Sequence, residues 1–251
     1  MSTNASSRLF QPITIGNLKL NHRIVLLPLT RYRATRLTHV LISPLVKTHS
    51  EQRASVPGML LITEARFVFI LYSVTLHHSV PKQVTDAVHA KGSYIFAQIW
   101  ALGRIARISQ LQEQDPSLPY IAPSPIPLPC REGSPRELTF TFLIQQLVTH
   151  HPNLAYLHLI EPLDSGPEYT EKSNDSLREI WYPRPLISAG EYTTESALDM
   201  VERWDNELVG SGRAFIANPD LPFRIRYGLP LNAPDEKTFY TVGDEPDAAV
   251  G

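Results

Sequence analysis

Gln98 and Arg213 stand near the ends of apolar runs that read as buried strands, Ser93-Tyr-Ile-Phe-Ala-Gln-Ile99 and the run beginning at Leu208. A charge or an amide that ends such a strand is costly unless something partners it. An amide offers both a donor and an acceptor, and a guanidinium fork matches a phosphate or carboxylate. The nine histidines are less promising. They include the adjacent pairs His77-His78 and His150-His151, and neighbours on one strand or helix do not face the same way. Metal ligation is therefore the weaker reading, and no metal site is expected. His158 lies inside an apolar run and reads as a packed, hydrogen-bonded histidine rather than a base. Cys130 is the only cysteine, which excludes an intramolecular disulfide and a Cys-rich zinc site. No nucleotide-binding glycine fingerprint, P-loop, zinc-protease or serine-hydrolase motif is present.

The elements that must position these residues alternate. Arg23–Pro28, Gly58–Thr63, Ser93–Ile99, Leu154–Ile160 and Pro185–Ala189 read as strands, and Leu208–Ile216 as a sixth. Continuous apolar strands are the mark of a parallel sheet covered on both faces. Helices are expected over Pro44–Ala54, Pro81–Lys91 (closed by Gly92), Glu137–Thr149, Thr194–Trp204 and Asp220–Tyr227 (closed by Gly228). Ser134-Pro-Arg-Glu137 reads as a capping box for the third of these. The order predicts an α/β fold, either a (β/α) barrel or a doubly wound sheet.

Composition narrows the class. The chain has 251 residues, 43% of them hydrophobic and 19% charged, enough for a sizeable core. Its formal charge of −2 argues against a nucleic-acid partner held by phosphate contacts and against a polybasic membrane anchor. Met1–Gly16 has no apolar signal-peptide region, and no run approaches the ~18 apolar residues of a membrane span. A cytoplasmic protein is expected. Prolines, at 22, outnumber the 12 glycines. Seven of them fall between Pro116 and Pro135, in a stiff extended loop over residues 115–136. Pro116-Ser-Leu-Pro119 within it also suits a polyproline-binding partner domain, with the loop role the better reading.

Whole segments read together resemble the old yellow enzyme family. They are Leu9–Asn17, His22–Ala34, Gln52–Ala65, Asp86–Arg104, Pro135–Thr139, Leu154–Pro162, Pro185–Gly190 and Gly212–Leu221, with Gly228–Asn232 and Thr238–Tyr240 following. The fungal branch, including the ergot-alkaloid enzymes, is most similar. The resemblance implies a TIM-type (β/α)8 barrel, FMN as cofactor, NADPH as reductant and a small-molecule enal or enone as substrate. It gives Thr30 the place beside the flavin N5/O4 edge, Pro28 and Leu29 the backbone lining the ring, and Ala65 the small residue that lets flavin approach. Gln98 would read the pyrimidine edge. Ala189, Gly190, Gly212 and Arg213 would hold the phosphate after the last two strands. Trp100 and Tyr240 would wall the substrate pocket.

The chain also departs from the family. After Thr139 it runs directly into Phe140–Leu147, which resembles the helix before the family's sixth strand. Strands four and five are thus expected to be missing, leaving about six of eight. Strand four carries the family's His/Asn pair, which stabilises the enolate developing on the substrate oxygen, and its proton-donating tyrosine. No catalytic residue is therefore assigned here, and each lost oxyanion donor should cost roughly 10²–10³ in rate. Strand five carries an arginine on the flavin. Val68–Val84 is also shorter than in the family and β-prone, and Lys47–Glu51 departs from its usual tyrosine pair. The expectation is one truncated barrel domain over residues 1–251, with a loosely ordered tail over 233–251. Its ene-reductase activity would be lost or strongly impaired. The alternatives are a non-catalytic flavin-binding or interaction protein, and an incomplete gene model of an active ene-reductase. Six strands close only if the two beside the gap pair with each other; otherwise both present open edges.

Overall fold

The computed structural model describes residues 3–31, 43–67, 82–100, 136–162 and 173–240. Ten short strands and seven helices lie within these residues. The strands are β1 (Ile13–Ile15), β2 (Leu18–Leu20), β3 (Ile24–Leu26), β4 (Leu60–Ile62), β5 (Arg66–Phe67), β6 (Tyr94–Phe96), β7 (Ile99–Trp100), β8 (Leu157–Ile160), β9 (Leu186–Ala189) and β10 (Glu207–Ser211). The helices are α1 (Ser43–Arg53), α2 (Lys82–Ala90), α3 (Arg136–His150), α4 (Asp175–Trp181), α5 (Thr194–Arg203), α6 (Arg213–Ala217) and α7 (Leu221–Arg226). Residues 101–135, with nearly all of the proline-rich loop and the first two residues of the Ser134–Glu137 capping box, and residues 68–81, with His77-His78, lie outside the described residues.

Six parallel strands form one sheet in the order β6-β4-β3-β10-β9-β8. The pairing of β3 with β10, the first and last strands of the sheet in sequence, decides between the two expected architectures. It is the seam that closes a barrel. The opening lies at the middle of the chain, where β6 and β8 form opposite edges instead of pairing. Among the described residues the fold is an incomplete (β/α) barrel with six strands in its sheet.

The two faces of the strands divide the core. Val25, Leu60, Ile62, Ile187 and Leu208 point into the barrel with Phe96 and Tyr156. The stacked rings of these last two, 6.2 Å apart, bridge the sides of the opening. Ile24, Leu26, Leu61 and Val209 point outward against Ala54, Val88, Val201 and Phe215. The antiparallel hairpin of β1 and β2 contributes Ile15 and Leu20 to the inner cluster. Its strands have three residues each, too short for an alternating pattern to declare them.

Two boundaries and one further helix correct the sequence reading. The sixth barrel strand ends at Ser211 instead of continuing to Ile216, because Gly212 breaks it and Arg213–Ala217 turns helical. The run to Ile99 is two strands: Tyr94–Phe96 pairs with β4, whereas Ile99–Trp100 pairs with β5. Helix α4 was not foreseen. It has seven residues, and its buried face includes Arg178 beside Leu177 and Trp181.

Gly58 leads into β4 with φ +78°. A Cβ there would lie 2.5 Å from Asn21 Nδ2, while the Gly58 carbonyl accepts the Asn21 N–H at 3.0 Å. Gly92 has a similar φ of +72°, but its Cβ would meet only Pro57, at 3.6 Å. Gly58→Ala is therefore expected to cost more than Gly92→Ala, which carries only the left-handed backbone penalty of roughly 1–2 kcal/mol. Urea midpoints of the two variants check the order.

Candidate functional site

The carboxyl ends of the six strands make one rim. Leu27 N–H donates to the Ser211 carbonyl at 3.0 Å, and Thr63 N–H to that of Phe96 at 2.9 Å. Gln98 N–H donates to Thr63 Oγ1 at 3.3 Å. Arg31 N–H donates to Glu64 Oε2 at 3.1 Å. Parallel strands all deliver their following loops to the same end, so residues distant in sequence converge there.

The residues singled out by sequence occupy this rim. Pro28 and Leu29 are half-buried and Thr30 is exposed, all after β3. Ala65 follows β4, and Gln98 lies half-buried between β6 and β7. Ala189 ends β9 and Gly190 follows it; Gly212 and Arg213 follow β10. Trp100 contributes its backbone to β7, and its side chain lies outside what is described. Tyr240 is exposed next to buried Phe239. The segment holding it is fastened by Arg31, whose guanidinium donates to the carbonyls of Phe239 and Thr238 at 3.1 and 3.2 Å. Within the tail, Glu236–Thr238 is a 3-10 turn.

One contact brings two of these residues together. A Cβ on Gly212 would fall 2.7 Å from Leu29 Cδ2, so the Leu29 side chain lies against that glycine. The space beside Gly190 is taken in the same way, by Glu161 Cβ at 2.5 Å. Arg213 is engaged as well: its Nη1 donates to Glu191 Oε1 at 2.6 Å, both side chains being more than half exposed. Glu191 has φ +56°, the left-handed region that side chains other than glycine rarely adopt.

These contacts test whether the site suits a phosphorylated flavin. Thr30, Ala65 and Gln98 place a hydroxyl, a small side chain and an amide along one part of the rim, in keeping with the ring of a flavin. The residues expected at the phosphate do not fit it as they stand, because their cation, Arg213, already holds the Glu191 carboxylate.

Sequence reasoning missed three residues behind the rim. Arg178 is buried on α4 and donates to Glu207 at 3.2 Å, to Asp175 at 3.2 Å and to Glu161. Burial opposes its charge, but Glu207 and then Glu161 hold its pKa above the ordinary arginine value. Glu161, at the end of β8, links this cluster to Gly190, and its N–H donates to the Ala189 carbonyl at 2.6 Å. Tyr192 OH pairs with Ser188 Oγ at 2.8 Å, and burial leads the causes that push the phenol up to about 12. The available signal was charge: Glu161 and Glu191 each directly follow a strand or its glycine.

His158 lies in β8, and burial lowers its pKa; its Nε2 has no hydrogen-bond partner, in contrast to the hydrogen-bonded reading. Among the described residues, no group of three His, Cys, Asp or Glu is placed to hold a metal, and no helix is long and apolar enough to cross a membrane.

Residues 8–150 and 131–232 match the family described as NADH:flavin oxidoreductase / NADH oxidase. The chain is 29% identical to chanoclavine-I aldehyde reductase fgaOx3 of Penicillium roqueforti (strain FM164), with 95% of this chain and 94% of that protein covered. That alignment runs over 351 positions against the 251 residues here, so part of the relative has no counterpart in this chain. It is 28% identical to "Probable inactive reductase easA" of Epichloe festucae var. lolii, covering 94% of this chain and 92% of that one. Old Yellow Enzyme from Pichia sp. AKU4542 has the same fold, with a TM-score of 0.75 at 21% identity over 97% of this chain and 95% of that one.

Proposed function

The chain belongs to the NADH:flavin oxidoreductase / NADH oxidase family, and from that premise we propose that it is a single-domain, truncated relative of its ene-reductases, catalytically inactive or strongly impaired. FMN and NADPH are the family's cofactors. The observation that carries the reading is the place of the opening. Strands β6 and β8 follow one another in the sheet-forming sequence, yet they stand at its opposite edges. An opening between those two strands is what loss of the family's strands four and five would leave. The His/Asn pair, the tyrosine and the flavin arginine would be lost with them.

The residues that remain would bind rather than react. Gln98 would offer its amide to the pyrimidine edge, Thr30 its hydroxyl to the N5/O4 edge, and Ala65 a surface low enough for the ring to approach. Pro28 and Leu29 would line the ring, and Trp100 and Tyr240 would wall the pocket. Ala189, Gly190, Gly212 and Arg213 would be the remnant of the phosphate end. The ancestral substrate class is an activated alkene, an enal or enone of fungal secondary metabolism. This assignment draws its support from the similarity to a reductase named for chanoclavine-I aldehyde.

The test is to purify the full chain, record its visible spectrum, and follow NADPH consumption with an enal after adding FMN. Little or no bound flavin and no enal-dependent consumption are expected. Stoichiometric flavin with turnover would refute the inactive reading. A second reading, a non-catalytic interaction protein, draws support from the exposed side chains of Phe140, Phe142 and Leu143 on α3 and Ile160 at the sheet edge. A folded protein that takes up none of the added FMN would favour it.

A further inference from the structure

Glu191 sits between two fixed points. Before it, the Ala189 carbonyl accepts the Glu161 N–H, and the Glu161 side chain lies against Gly190. After it, Tyr192 is tied to Ser188, and Thr193 caps α5, its Oγ1 accepting the Ser196 N–H at 3.2 Å. The residue spans these anchors with φ +56°, a strained conformation of the kind that collects at functional positions. Its carboxylate meets Arg213, across the β9–β10 pair, at 2.6 Å. Among the described residues, Arg178 is committed to Glu207, Glu161 and Asp175, and Arg31 to the Phe239 and Thr238 carbonyls.

We propose that Glu191 is a specificity-determining residue that occupies Arg213 in place of a ligand phosphate, so that the chain does not favour a phosphorylated flavin over an unphosphorylated one. A phosphate reaching Arg213 would have to displace a carboxylate and then stand beside it, and like charges at that range repel. The flavin ring is recognised elsewhere on the rim and is indifferent to this exchange. The inference rests on the flavin reading above, but its test separates the two.

Riboflavin and FMN are titrated against the full-length chain, Glu191→Gln and the double variant Glu191→Gln/Arg213→Met, with flavin fluorescence as the readout. Inorganic phosphate is titrated in parallel and followed by phosphorus NMR line broadening. The native chain should bind the two flavins about equally. Glu191→Gln should tighten FMN by about tenfold, as for one charge-assisted hydrogen bond gained, and leave riboflavin unchanged. The gain should vanish in the double variant. A native chain that already prefers FMN by tenfold overturns the proposal. So does a Glu191→Gln protein that tightens both flavins equally or neither. If no variant binds either flavin, the flavin reading fails and phosphate decides: broadening by Glu191→Gln alone upholds the role of Glu191, and broadening by none, or equally by all three proteins, overturns it. The Glu191–Arg213 pair is exposed, so neither substitution removes a buried contact.

Discussion

Arg178→Met should lower the stability of the chain by roughly 3–5 kcal/mol, the usual cost of removing one partner from a buried ion pair. Arg178 is 1% exposed and Glu207, on β10, is 0% exposed. The guanidinium also reaches Glu161 at the end of β8 and Asp175 in its own helix. Methionine keeps much of the stem's volume, so the loss measures charge and hydrogen bonds more than a cavity. Asp175 retains Arg203 at 2.8 Å, whereas the Glu207 carboxylate would keep no ion-pair partner among the described residues. For a chain of this size the melting temperature should fall by about 10 °C, since each kcal/mol is worth about 2–4 °C. Thermal and urea unfolding at fixed pH provide the check. Arg178→Met/Glu207→Leu should recover much of the loss, because replacing both partners by apolar groups is often neutral. A single variant that loses less than about 1 kcal/mol would show that Glu207 is satisfied without Arg178, by a proton or by Ser188.

This cluster also shows what the sequence could and could not disclose. Apolar runs betray barrel strands because both faces are buried, and Ile24–Leu26, Leu60–Ile62 and Leu186–Ala189 sit inside their expected bounds. The strand-end position of Gln98 follows from the same pattern. Helix α4 was hidden because a salt-bridged arginine takes an inward position where an apolar residue would have marked the face. Arg213 was readable as a strand-end cation, but its partner was not. Glu191 is 22 residues away and meets it only because β9 and β10 are neighbours. The opening was legible from the family's order of segments, whereas the failure of β6 and β8 to pair is a property of the assembled sheet. Local sequence reports burial and turns; pairing between loops needs the topology.

Acid should destabilise the chain through His22, which packs just before β3 at 3% exposure. Its Nδ1 accepts the Ile24 N–H at 3.2 Å, and Nε2 has no partner. Burial first, and then the nearby charge of Arg226, push its pKa from 6.5 down to about 4. A ring that stays neutral in the fold but protonates freely when unfolded makes the unfolded state the better proton acceptor between those two values. Stability from this group is therefore complete above pH 6.5, falls as pH drops toward about 4, and levels off below it. At 1.36 kcal/mol per unit, the full swing is about 3 kcal/mol. His22→Gln keeps an oxygen able to accept the Ile24 N–H while removing the titration. Urea unfolding at pH 7, 6, 5 and 4 should give the native protein the steeper loss by about that amount, with the carboxylates contributing equally to both. Parallel profiles for the two proteins would mean that His22 is solvated or finds a proton acceptor in the folded state, and would remove it as the source of acid lability.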